Sequence, residues 1–175
     1  MGRKAGRAHG QRGQGVTEFA LVLPVFLFLF LGVMQLGLYV LAQSALTFAT
    51  MQGARAAAVA GADPAADTAV CSAIAGALAS SHLDPSNVTT VTIYQGNGRP
   101  SPPSDVGMCD ATGAWVATSA GWPPPARGVG ATPDSVGVRL DYTFHYVIPW
   151  FGTAVKVSHD AILRIEDENP PSSAS

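Results

Sequence analysis

The chain has 175 residues, 47% of them hydrophobic and only 13% charged, with a formal net charge of −2. So low a charge density, with a mean hydropathy of +0.23, argues against an average cytosolic domain and points to a membrane-associated or exported protein. The charge is also sorted: Arg3, Lys4, Arg7 and Arg12 crowd the start with no acid before Glu18, while acids outnumber bases from residue 62 onward.

Residues 1–13 are basic and glycine-rich, and read as a leader. A basic arm for nucleic acid is the competing reading, and the apolar run that follows so closely argues against it. Residues 19–42 are almost wholly apolar. As a helix they rise about 36 Å, enough for the hydrocarbon core. Pro24 is expected to be tolerated there as a kink. A basic head before such a helix stays in the cytoplasm, which places the rest of the chain outside. Residues 43–61 are alanine-rich and are expected to continue the helix. Ala45, Ala49, Gly53, Ala57 and Gly61 recur every fourth position, a spacing that admits another backbone, from a neighbouring subunit or from the chain's own domain.

Asp63 and Pro64, as N-cap and first helical residue, predict a second helix near 65–81 with Val70, Ile74 and Leu78 on one face. Residues 88–94 (VTTVTIY) read as a strand. Residues 95–134 are rich in Gly, Pro and Ser and read as one long irregular loop. Residues 137–147 alternate Val138, Leu140, Tyr142, Phe144 and Tyr146 against Arg139, Asp141, Thr143 and His145. Residues 154–165 alternate likewise, and a turn at Pro149–Gly152 makes the two an antiparallel hairpin with one packed and one wet face. The tail 167–175 is expected to fray. Cys71 and Cys109 fall on the expected exported side, where a disulfide can form. Two separate buried thiols are the alternative.

The stretch "RGQGVTEFALVLPVFLFLFLGVMQLG" places Gly13 at the end of the leader, Gln14 next, and Glu18 five residues past Gly13, at the front of the apolar run. This resembles the class III signal of type IV pilins and, more closely, the TadE-like family of Flp/Tad pilus proteins. Gly53-Ala54-Arg55-Ala56-Ala57 is similar to that family's G-A-R-x-A pattern, and "AILRIE" to the end of its domain. The likeness is good over 12–60, weak over 135–166 and absent between. It implies a pilin-like α+β fold: a long N-terminal helix continuing into a small domain with a second helix and an antiparallel sheet. It divides the chain into a leader (1–13), a helix (14–61, spanning the membrane over 19–42), an extracytoplasmic domain (62–166) and the tail.

The resemblance further implies a minor pilin or pseudopilin, not an enzyme, single-pass in the cytoplasmic membrane with its N-terminus inside. A prepilin peptidase would cut between Gly13 and Gln14. Glu18 would then pair, on docking, with the new α-amino group of Gln14 on a neighbouring subunit. A charge inside a membrane is usually paired and functional; a carboxylate resting at the headgroup boundary is the bland alternative. The implied partners are the membrane, a major Flp-type pilin, a TadF-like minor pilin, the prepilin peptidase, an ATPase and the Tad inner-membrane platform, with no nucleic acid and no small-molecule substrate. A secretion-system pseudopilin and a membrane-anchored extracytoplasmic enzyme or ligand-binding module are the alternatives. Signal-peptidase cuts near Ala42-Gln43-Ser44 or Ala58-Val59-Ala60 would belong to the last of these.

The residues supply little other chemistry. His9, His82, His145 and His159 lack ligand spacing, so no metal or cofactor is expected. His159 falls on the apolar side of its strand and reads as a satisfied core histidine. His145 near Asp141 has no accompanying nucleophile. Arg55 is expected to pair with a helix C-terminus or with an acid of the domain.

Overall fold

The computed structural model describes residues 11–96, 104–110, 112–127, 135–148, 150 and 152–165. The leader before Gln11 and the tail 167–175 lie outside them. The chain divides into two compact units with the boundary between Leu38 and Tyr39. One helix, α1 (Gln11–Ala60), runs through that boundary.

In the first unit α1 is exposed along most of its length, with Gln35 buried. Phe19, Leu21, Phe26, Phe30 and Leu36 are all exposed. Pro24 is accommodated inside the helix, and Phe26 and Phe30, one turn apart, stack at 6.4 Å. The helix is long and apolar enough to cross a membrane. A surface this apolar is stable only where water is excluded.

The second unit joins the later part of α1 to a second helix, α2 (Ala66–Ser80), and to a five-stranded sheet. The strands are β1 (Val88–Gln95), β2 (Ser104–Cys109), β3 (Trp115–Ala120), β4 (Ser135–His145) and β5 (Ala154–Arg164). Their order is β3-β2-β1-β4-β5, every neighbour antiparallel. The fold is therefore α+β and pilin-like, as the resemblance implies. The core joins Ala42, Leu46 and Ala49 of α1, Val70, Ile74 and Leu78 of α2, Val91 and Ile93 of β1, and the alternating Val136, Val138, Leu140, Tyr142 and Phe144 of β4. The fourth-position stripe on α1 serves this core: Ala49 and Ala57 are fully buried. At Gly53 a Cβ would stand 2.8 Å from Ile74 Cγ1, so the missing side chain lets α2 approach.

Two expectations are corrected. Residues 95–134 are not one loop, because β2 and β3 form a hairpin there. Gly107 of β2 lies against the Trp115 ring of β3, where a Cβ would stand 2.7 Å from it. Pairing with β1 overrides the weak local propensity. Asp110 folds the turn, its carboxylate accepting from Thr112 N (2.8 Å), Thr112 Oγ1 (2.6 Å) and Ala114 N (2.8 Å). Residues 97–103 and 128–134 lie outside the described residues. The second correction concerns the start of α2. Its N-cap is Ala65, not Asp63. The Asp63 carboxylate accepts from Ala65 N at 2.7 Å, a local turn that redirects the chain before the helix begins.

α2 ends with His82 in the left-handed region, φ 58°. Leu83 N donates to Leu78 O at 3.0 Å and His82 N to Ala79 O at 3.1 Å. This pair of bonds is the Schellman termination, which ordinarily takes glycine at that position.

Candidate functional site

Gly13, Gln14 and Glu18 all lie on α1; the side chains at 11–14 are outside the described residues. Glu18 is exposed. It is the single charged residue between Arg12 and Arg55. One turn separates it from Gln14, about 6 Å along the axis. The helix already begins at Gln11, which places Glu18 two turns inside it and not at its start.

Beyond Leu38 the helix has two distinct faces. One packs into the core of the second unit. The other carries Leu41, Ser44, Phe48, Met51, Arg55 and Val59 at steps of three and four. Leu41, Phe48, Met51 and Val59 are 67%, 48%, 45% and 74% exposed. This spacing makes a continuous stripe along a helix. Arg55 lies on it, exposed, beside Ala58, Val59, Leu163 and Arg164 around a shallow pocket of about 290 Å3. Its expected acid partner is not there, since among the described residues no ion pair includes Arg55.

The β2–β3 hairpin is fastened to one turn of α2. Cys71 and Cys109 form a disulfide with Cα atoms 5.4 Å apart. One turn earlier on α2, Asp67 Oδ1 lies 2.6 Å from Nη2 of Arg127. The same nitrogen is 3.2 Å from Asp105 Oδ2 on β2. Arg127 is fully buried. Its Nε donates to the Trp122 carbonyl at 3.3 Å, and its guanidinium stands 5.3 Å from the Trp122 ring centre. Asp105 Oδ1 accepts from Trp122 N at 2.7 Å. Burial outweighs the guanidinium at Asp67 and holds its carboxyl above the usual carboxylate range. Two acids thus share one base inside the protein. Sequence reasoning missed this cluster. The available signal was Arg127 itself, the single basic residue between Arg99 and Arg139.

The histidines are not brought together. His145 is exposed at the end of β4, and Asp141 instead meets Arg139 Nε at 3.2 Å and the Ser158 hydroxyl. His159 is partly buried and bonded to α1. His9 lies outside the described residues. Among the described residues no group of His, Cys, Asp and Glu could hold a metal ion.

No curated protein and no solved structure matches the chain. The family model described as TadE-like protein matches residues 13–55, so the segment that carries Glu18 and the exposed stripe down to Arg55 is TadE-like.

Proposed function

We propose that this chain is a membrane-anchored subunit of a Tad-type pilus, a minor pilin or pseudopilin that helps prime, assemble or cap the filament and so supports adherence. The observation that carries this reading is α1: a single carboxylate ahead of a bare apolar helix, whose exposed stripe of Leu41, Phe48, Met51 and Val59 extends beyond the length a bilayer needs. Surplus apolar helix surface outside the membrane calls for other helices as partners.

In this reading residues 1–13 are a leader removed after Gly13, residues 14–61 are anchor and packing helix, and 62–166 is the exported domain. Glu18 meets the α-amino group of Gln14 on a neighbouring subunit. Neither charge is tolerable alone in hydrocarbon, so only a subunit in register enters. The prepilin peptidase, the Flp-type and TadF-like pilins and the inner-membrane platform are the partners this scheme requires. A protein released by signal peptidase fits poorly. A cut near Ala58 would strip from the domain Leu46, Ala49, Ala54 and Ala57, each at most 1% exposed, and one near Ala42 would remove Tyr39, whose ring packs on Phe144 at 5.6 Å, and the buried Ala42.

Mass spectrometry of the mature N-terminus tests the proposal. A start at Gln14 that vanishes when the prepilin peptidase is deleted is the expected result. A start near Ala45 or Gly61 overturns it.

A further inference from the structure

His159 lies on the helix-facing side of β5, an edge strand, and both of its ring nitrogens meet α1. Nε2 is 2.6 Å from Gln43 Oε1, and Nδ1 is 3.3 Å from Thr47 Oγ1. Gln43 Nε2 donates to the Tyr39 hydroxyl at 2.6 Å. The Thr47 hydroxyl donates to the Gln43 carbonyl at 2.9 Å. Tyr39, Gln43 and Thr47 are each one turn apart, which is why one imidazole reaches two of them.

Thr47 has one hydroxyl proton, and the Gln43 carbonyl takes it, so its oxygen faces Nδ1 as an acceptor. With the Gln43 oxygen toward Nε2, both ring nitrogens face acceptors, which suits an imidazolium. Half a turn of the Gln43 amide suits the neutral ring instead. Nδ1–H then donates to Thr47, Nε2 accepts from the Gln43 amide, and the Tyr39 hydroxyl donates to Gln43 Oε1. The relay is complete in either state, and the two differ by one proton and one amide rotation.

We propose that His159 and Gln43 form a pH-sensitive latch between β5 and α1, tight when the ring is neutral and weakened when it takes up a proton. The charged ring has no acid to meet it on the helix. Between Tyr39 and Thr47 the facing side chains are neutral, and across the register on β4 stands Leu140. Asp160, Lys156 and Arg139 belong to the opposite face of the sheet. Accordingly, burial pushes the imidazole below its ordinary 6.5, against a weaker pull from Asp160. A depressed histidine leaves full stability above 6.5, which is lost as pH falls from there toward the folded value. One proton contributes at most about tenfold per pH unit within that window. The inference stands apart from the pilus reading.

The test is amide hydrogen exchange on the full chain in detergent micelles from pH 7.5 to 5.5, corrected for intrinsic rates. Protection of the β5 amides bonded to β4 is expected to fall below pH 6.5, by up to about tenfold per unit. His159→Gln, which cannot gain charge, is expected to remove that slope. Gln43→Glu sets a carboxylate against Nε2 and is expected to reverse it. An unaltered slope in His159→Gln, or an unreversed one in Gln43→Glu, overturns the proposal. So does an NMR titration of the wild-type imidazole that returns 6.5 or higher, which needs no variant to fold.

Discussion

Arg127→Met removes the one cation from a cluster that holds two acids. The guanidinium is fully buried between Asp67 and Asp105. Methionine keeps the apolar stem but not the guanidinium, and leaves both carboxylates without a counter-charge. Breaking a buried ion pair from one side costs about 3–5 kcal/mol, and the lost contact with the Trp122 ring falls within that range. The folded-to-unfolded ratio should drop by roughly 150- to 5,000-fold, at about 1.4 kcal/mol per tenfold. That is a large share of the 5–15 kcal/mol that holds a typical domain.

Urea unfolding of the full chain in micelles, followed by tryptophan fluorescence, measures the loss. Its pH dependence identifies the cause. Asp67 is already raised above 3.8, chiefly by burial, with Arg127 opposing. Without Arg127 it rises further. A raised acid costs stability as pH climbs from the unfolded value to the folded one, and the cost disappears below about 3.8. The variant should therefore be most impaired near pH 7 and recover toward pH 4, and adding Asp67→Asn should restore part of the loss at pH 7. A loss under about 1 kcal/mol at pH 7, or one of equal size at pH 4.5, would refute the assignment of Arg127 as the counter-charge.

Replacing Cys71 and Cys109 together by serine should cost up to about 4 kcal/mol by the loop-entropy argument for a separation of 38 residues, and denaturant unfolding with and without reductant reads it. His82→Gly should stabilise by about 1 kcal/mol, because glycine takes the left-handed conformation at the end of α2 without steric cost; a fall in melting temperature would contradict the termination described. Glu18→Ala should insert into membranes as the wild type does yet be depleted from sheared pili, as seen by immunoblot of both fractions. Normal incorporation of that variant would remove the reason for the carboxylate.

Legibility in the sequence followed periodicity. The β4 pattern from Val138 to Phe144 alternates cleanly because one face is buried, and the structure places those residues in the core. The apolar run before Leu38 was equally plain. β2 and β3 were not, because each is only six residues long and the Gly, Pro and Ser around them mask the strand signal of Val106, Val116 and Thr118. Their pairing is set by β1 and by α2, which are distant in sequence. The ion cluster was opaque for a related reason: Asp67, Asp105 and Arg127 belong to three segments, and no spacing rule joins them. The small-residue stripe on α1 was visible, but its partner was not. Whether Gly53 meets a second chain or the chain's own α2 depends on where Ile74 lands.

The sheet order has a consequence for how this protein can vary. β1 bonds both β2 and β4, so the β2–β3 hairpin is an addition at one margin of a β1-β4-β5 frame. The covalent and ionic links that secure it to α2 fall within about one turn, at Asp67 and Cys71. The hairpin supplies Asp105 and Cys109, and the chain just after it supplies Arg127. The hairpin thus behaves as an exchangeable cassette with its own fasteners. Its connecting segments can change length and composition while two anchors to α2, the disulfide and the Asp67–Arg127 ion pair, keep it seated, and the frame beneath needs no adjustment.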